Sequence, residues 1–294
     1  MSTISGKYRS ILGEMIKNCA QSQTITEHNV YQPGNMKNRP YVEKVVTDHL
    51  LPGSRIIGIE NLEELHRLSK EGKSGLILME HYSNFDLPVL IYLLGNGGAE
   101  GKAAADSIVS MAGLKLNADN PVVLAFSEAY SRIVIYPSRY HDSITDPELL
   151  KKERKRSNAI NRAALHEMIR CKHSGHIILV FPSGTRYRPG NPDTKRGLKE
   201  IDSYIKAFDY MVLIGSGGNL LRIQPGGDMA EDVLAEDTVV FKVSPVIKCE
   251  EFRDKARSEA PADTDAKQFT VDRVMAELEK LHEEIERIRE PKNP

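Results

Sequence analysis

Short apolar runs closed by polar turns recur along this chain, and they alternate with segments whose apolar residues have helical spacing. Gly75–Met79 and residues 176–181 are the clearest runs, and both have the pattern of strands buried on two faces. Similar runs cover residues 133–136, 210–215 and 239–243, and helical spacing covers residues 60–71 and 150–170. The alternation predicts an α/β fold with a mixed, largely parallel buried sheet flanked by helices.

The two ends of the chain are predicted to be helical. Residues 1–53 are interpreted as a small helical N-terminal segment with a loop at Pro33-Gly34, and residues 54–294 as the α/β domain. Over residues 268–289, valine, leucine and isoleucine repeat at intervals of three and four, which predicts a long amphipathic helix. This helix either docks on the domain or pairs with a second copy.

Composition excludes several classes of protein. The 40 Lys and Arg residues nearly balance 41 Asp and Glu, which argues against a surface built for nucleic acid. No apolar run approaches the ~18–20 residues that a membrane span needs. The start of the chain lacks the apolar core of a secretory signal. The three cysteines, Cys19, Cys171 and Cys249, have no metal-ligand spacing, so we expect a cytoplasmic protein without a metal.

The first polar turn with side chains suited to catalysis follows the strand predicted at Gly75–Met79. It contains His81 and Asp86, and an apolar helix is predicted after it. In such a turn the carboxylate can meet one imidazole nitrogen and leave the other free as a general base. A purely structural or helix-capping pair is the alternative interpretation. Because ligand sites in open α/β sheets lie beyond the carboxyl ends of strands, this turn is a candidate site.

The second such turn, residues 181–190, follows the predicted strand at residues 176–181. Ser183, Gly184 and Thr185 form a tight stretch whose backbone N–H groups are able to face an anion. Arg186 and Arg188 are two residues apart, so in an extended segment they point the same way and can hold a phosphate together. A solvated basic loop is the alternative.

The two turns together resemble the glycerolipid acyltransferase superfamily. In that family the histidine–aspartate motif matched by His81 and Asp86 is the catalytic pair, and a Phe-Pro-x-Gly-x-Arg motif, matched by residues 181–186, binds the acceptor. The longer PSGTRYRP stretch at residues 182–189 most resembles the soluble plastid-type glycerol-3-phosphate 1-acyltransferases. Lysophosphatidate acyltransferases more often have Glu in place of Ser183 and usually lack the second arginine. The resemblance covers roughly residues 40–250.

The resemblance implies an acyl transfer that needs no cofactor. His81 is implied to take the proton of the 1-hydroxyl of glycerol 3-phosphate as that oxygen attacks an acyl thioester, and backbone N–H groups at the start of the next helix are candidate oxyanion donors. Arg186 and Arg188 are implied to hold the phosphate. Arg139 resembles the family's second motif, although the plastid type has Lys-His there. The neighbouring His141 is a further candidate ligand.

The acyl donor is implied to be acyl carrier protein or acyl-CoA. A basic run, Lys151, Lys152, Arg154, Lys155 and Arg156, is either a solvated helix face or a surface for the acidic carrier protein or anionic lipid headgroups. Because the product is a lipid, transient contact with a membrane surface is expected.

Three other functions remain open on the sequence. The protein is alternatively a 1-acylglycerol-3-phosphate acyltransferase that makes phosphatidate, an inactive lipid- or carrier-binding module, or a thioester hydrolase. The glycine-rich residues 215–218 lack the Lys-Ser/Thr ending of a nucleotide P-loop, and we interpret them as a turn or a wall of the acyl pocket.

Overall fold

A mixed β-sheet forms the centre of the protein in a computed structural model that describes residues 3–19, 24–114, 121–142, 144–223 and 232–289, without the side chains of residues 5, 138 and 139. Its strands are β1 (Tyr31–Gln32), β2 (Arg55–Ile57), β3 (Gly75–Met79), β4 (Ile108–Gly113), β5 (Arg132–Ile135), β6 (Ile177–Val180), β7 (Tyr210–Gly217), β10 (Val240–Val243) and β11 (Ile247–Lys248). A separate antiparallel pair consists of β8 (Leu221–Arg222) and β9 (Val233–Leu234).

The strand order is β1-β5-β4-β6-β3-β7-β10-β2, and β11 also pairs with β7. Five adjacent strands are parallel to one another, namely β5, β4, β6, β3 and β7. Strand β10 is also parallel to β2. Pairs β1–β5, β7–β10 and β7–β11 are antiparallel. The predicted fold class is therefore confirmed.

Helices cover both faces of this sheet. They are α1 (Ile4–Lys7), α2 (Arg9–Asn18), α3 (Arg39–Thr47), α4 (Ile59–Lys70), α5 (Asp86–Gly95), α6 (Ala99–Ser107), α7 (Pro121–Ser127), α8 (Pro147–His173), α9 (Ile201–Ala207), α10 (Cys249–Glu259) and α11 (Ala266–Ile288). Short 3-10 helices lie at Ser138–His141 and Pro192–Lys195. In β3, Ile77 and Met79 join the core layer of α1 to α7, whereas Leu76 and Leu78 join that of α8 to α11. Burial on two faces explains why this strand is continuously apolar.

The N-terminal residues pack on the same core. Strand β1 pairs with β5, and Val42, Val45 and Val46 of α3 are buried in one of the core layers. Helix α3 ends at Thr47. The division into residues 1–53 and 54–294 stays a prediction.

The last helix, α11, docks on β7, as the first of the two alternatives predicts. A Cβ atom at Gly215 would lie 2.6 Å from Leu281 Cβ, and one at Gly217 would lie 2.4 Å from Ile285 Cγ2. These glycines therefore allow the close approach of helix and strand. The expectation of a turn at residues 215–218 was wrong over most of its length, because β7 continues to Gly217. Across the described part of the chain, no helix combines the length and apolarity of a membrane span.

Candidate active site

His81 and Asp86 form a hydrogen-bonded pair in the turn between β3 and α5. Asp86 is the first residue of α5, where a carboxylate is favoured by the helix dipole. Its Oδ2 lies 2.9 Å from His81 Nδ1 and also accepts from the backbone N–H groups of Tyr82, at 2.7 Å, and Ser83, at 2.8 Å. Since a carboxylate only accepts, Nδ1 carries the hydrogen and Nε2 of the neutral ring has a free lone pair. The pair therefore has the arrangement of a general base with an orienting acid.

The two predicted turns meet at His81. Its ring stacks on Phe181, with centroids 3.9 Å apart and planes at 17°. The backbone N–H of Tyr187 donates to the carbonyl of His81 at 2.7 Å. This contact follows from the sheet order, because β3 and β6 are parallel neighbours and their carboxyl ends lie at one edge.

The stretch from Ser183 to Thr185 is a tight turn beside this contact. Gly184 has a left-handed backbone with φ of +61°, and its N–H donates to the carbonyl of Phe181 at 2.9 Å. The buried hydroxyl of Ser183 donates to the carbonyl of Thr185 at 2.7 Å. A Cβ at Gly184 would lie 2.5 Å from Leu198, so glycine is required for both conformation and space.

The two arginines of the turn have different surroundings. The side chain of Arg186 is buried and forms an ion pair with the fully buried Asp232. Arg188 is exposed, and its backbone N–H donates to Thr194 Oγ1 at 2.9 Å. That the two arginines hold a phosphate together stays a prediction. In such a site, Arg186 would keep Asp232 as its counter-charge, and Arg188 would lie in solvent.

Arg139 and His141, which resemble the family's second motif, lie after β5, farther along the carboxyl edge of the sheet. Arg139 belongs to the 3-10 helix after β5, and its side chain is outside the described residues. The ring of His141 stacks on Tyr136 with centroids 5.4 Å apart. Within the described part of the chain, His141 Nε2 is buried without a hydrogen-bond partner. Strand β5 is three strand spacings, roughly 14 Å, from β3, so the backbone does not place this histidine beside His81.

The backbone N–H groups just before α5 and at its first residue have partners within the turn itself. The N–H groups of Tyr82 and Ser83 bind Asp86, that of Phe85 binds Ser83 Oγ at 3.0 Å, and that of Asp86 binds the carbonyl of Ser83 at 3.2 Å. These four groups stabilise the turn. The expectation that N–H groups at the start of α5 bind an oxyanion stays a prediction.

Several polar side chains near His81 were missed from the sequence. Glu80 is buried beside β7, and burial raises its pKa to about 7. Tyr82 stacks on His282 of α11 and meets Tyr187 edge-on. Lys195 lies over the rings of Tyr82 and Tyr187 and pairs with Glu279 of α11 at 2.5 Å. In the sequence, the one sign of these side chains was the carboxylate of Glu80, which directly follows the apolar run Gly75–Met79.

A cavity of about 350 Å³ opens next to the Ser183 turn. Its walls include Ser183, Thr185, Thr194, Arg196 and Lys199. A much smaller cavity, of about 10 Å³, lies against His81 and shares Ser183 and Thr194 with the larger one. The two cavities are therefore adjacent, and the larger one has the volume of a small-molecule pocket.

A histidine–aspartate pair at the carboxyl edge of an α/β sheet is an arrangement that enzymes use to activate a hydroxyl or a water. Residues 54–224, more than half of the chain, match the family described as Acyltransferase, and the protein belongs to that family. Among curated proteins, no sequence matches this chain. Family membership makes the reaction an acyl transfer of glycerolipid synthesis. His81, Asp86 and the Ser183 turn lie inside the matched segment, whereas Asp232 and α11 lie outside it.

Proposed function

We propose that this protein transfers a fatty acyl group from a thioester donor, acyl carrier protein or CoA, to the 1-hydroxyl of glycerol 3-phosphate. The product is lysophosphatidate. The observation that carries the proposal is the His81–Asp86 pair, which is stacked on Phe181 at the start of the PSGTRYRP turn.

Proton transfer follows from the tautomer of His81. Nε2 takes the hydroxyl proton as the acceptor oxygen forms a bond to the thioester carbon, and Asp86 stabilises the imidazolium that results. The carbon–sulfur bond then breaks, and the imidazolium returns the proton to the departing thiolate. The acceptor oxygen is the nucleophile, so no covalent acyl-enzyme is required.

The acceptor is proposed to lie between His81 and the larger cavity. Ser183 and Thr185 border the larger cavity, and Arg188 provides a solvent-accessible guanidinium on the same turn. Asp232 engages one nitrogen of Arg186, and a guanidinium has five N–H donors, so a phosphate is still able to bind the others. Arg139 and His141 are proposed to approach the acceptor from the β5 side.

The donor is proposed to approach along α8. Lys151, Lys152, Arg154 and Lys155 are exposed on its N-terminal half, which begins after the 3-10 helix that carries Arg139. An acidic carrier protein or an anionic membrane surface complements this charge. Activity that falls with salt for a carrier-protein donor, and not for a CoA donor, would support the carrier.

The test is to incubate purified protein with an acyl thioester and either glycerol 3-phosphate or lysophosphatidate, and to identify the lipid by mass spectrometry. His81→Ala should lower kcat by about 10²–10⁴-fold, whereas the exposed His166→Ala should not. Arg188→Ala should chiefly raise KM for glycerol 3-phosphate. Near-normal turnover in His81→Ala would refute the role of His81, and thioester loss independent of any acceptor would indicate a hydrolase.

A further inference from the structure

Glu80 connects β3 to His81, and it is held by two other parts of the protein. Its Oε2 accepts from the backbone N–H of Ser216 in β7 at 2.9 Å, and its Oε1 accepts from the Tyr82 hydroxyl at 3.0 Å. His282 Nδ1 lies 3.6 Å from the same Oε2 and donates to the carbonyl of Ser216 at 2.7 Å. Glu80 and His282 therefore share one residue of β7 as a partner.

Tyr82 links this group to the catalytic pair. Its ring stacks on His282, with centroids 5.3 Å apart and planes at 20°, and its hydroxyl binds Glu80. Its backbone N–H donates to Asp86 Oδ2 at 2.7 Å. Because ring and N–H belong to one residue, the contacts of the ring restrain the part of the turn from which the N–H donates to the aspartate.

We propose that Glu80, Tyr82 and His282 are positioning residues, through which α11 holds Asp86, and with it His81, in the orientation that acyl transfer needs. The proposal rests on the role given to His81 and Asp86 above, and it applies to any hydroxyl acceptor. His282 lies outside the segment that matches the family, so this part of the site is supplied by the C-terminal helix of this chain.

The charge of Glu80 contributes to the proposed positioning of Asp86 and His81. An ionised carboxylate accepts from Tyr82 and Ser216 at once, whereas a protonated one must also place its own hydrogen. Burial raises the pKa of Glu80 to about 7, so its charge changes near neutral pH. The charged or titratable groups that face it are Tyr82 from the turn, His282 from α11 and Lys195 from the 3-10 helix. Glu279 of α11 faces Tyr82.

The first test compares Glu80→Gln with Glu128→Gln. Glu128 is a matched control, because it is buried to a similar degree, 8% exposed against 6%, and contacts neither His81 nor Asp86 in the described structure. In wild type, ionisation of Glu80 should contribute a step near neutral pH to the kcat profile. Glu80→Gln should lack this step, so its profile should be shallower there, and Glu128→Gln should keep the wild-type shape.

The second readout does not need activity. The imidazole signals of His81, assigned in ¹⁵N-histidine spectra with a His81→Gln variant, should shift as Glu80 ionises near neutral pH in wild type, and this response should be missing in Glu80→Gln. Profiles and titrations that are the same in wild type and Glu80→Gln would overturn the proposal. If His81→Ala retained turnover, the proposed function would fail, and the spectra would still decide the positioning role.

Tyr82→Phe keeps the proposal testable if Glu80→Gln does not fold. The variant retains the ring stack and removes the hydroxyl that donates to Glu80 and lies 3.4 Å from His282 Nδ1. The kcat should therefore fall by about tenfold with KM for the acceptor unchanged. A normal kcat together with an unchanged His81 spectrum would contradict the proposal.

Discussion

Replacement of Glu80 by Gln should change how stability depends on pH. In the folded protein burial raises the pKa of this carboxyl from 4.5 to about 7, against the opposing effects of Ser216, His282 and Tyr82. Between these two values the folded state binds more protons than the unfolded state. The stabilising contribution of the protonated carboxyl is therefore fully present below about pH 4.5, and it is lost as the pH rises through about 7.

The size of the effect follows from the shift. Each pKa unit corresponds to about 1.4 kcal/mol, so ionisation of buried Glu80 costs the folded state about 3 kcal/mol in total. Most of this, about 2 to 3 kcal/mol, should be lost between about pH 5 and about pH 8. Gln cannot ionise, and Glu80→Gln should lack this part of the pH dependence.

Urea unfolding of both proteins at the two pH values measures the difference. The free energy of unfolding should fall with pH more steeply in wild type than in Glu80→Gln, and the variant should gain relative stability at the higher pH. Glu128→Gln, run in parallel, reports the effect of removing another buried carboxyl. Equal pH dependence in wild type and Glu80→Gln would refute the argument that burial controls the charge of Glu80.

Three further variants test other parts of the site. Phe181→Ala removes the ring that stacks on His81, and kcat should fall by about tenfold in steady-state assays, more than KM changes. Gly217→Ala places a methyl group against α11 and should destabilise the protein by about 1–3 kcal/mol in urea unfolding, and an unchanged midpoint would contradict the close packing. Asp232→Asn removes the counter-charge of Arg186 and should lower KM for a phosphorylated acceptor, whereas a rise would show that Asp232 is needed to orient the guanidinium.

The central strands and the contact between His81 and Asp86 were predictable because their signals are local. Strands β3, β6 and β7 are buried on both faces and so leave continuous apolar runs. Strand β4, which pairs with β5 and β6, was not predicted. It contains Ser110 and Gly113 and follows directly on α6, so no turn residue marks its start.

The contacts around His81 and Asp86 were not predictable, because they join residues that are distant in sequence. Tyr82 and His282 are 200 residues apart, and Arg186 and Asp232 are 46 residues apart. No spacing rule connects such residues. The sequence likewise placed Arg186 and Arg188 on one side of an extended segment, whereas the buried Asp232 holds Arg186 and leaves Arg188 in solvent.

The position of β3 in the sheet explains why the turn with His81 and the turn with Arg186 differ in this respect. Its neighbour β6 leads to Phe181, which stacks on His81, and its other neighbour β7 supplies Ser216, which holds Glu80. The turn after β3 is thus fixed on both sides by the sheet, and its local motif is sufficient to identify it. The turn after β6 depends instead on Asp232, which lies later in the chain and pairs with Arg186. On the proposed function, the chemistry is therefore encoded in a local turn, and the orientation of one phosphate-binding arginine in a contact that is distant in sequence.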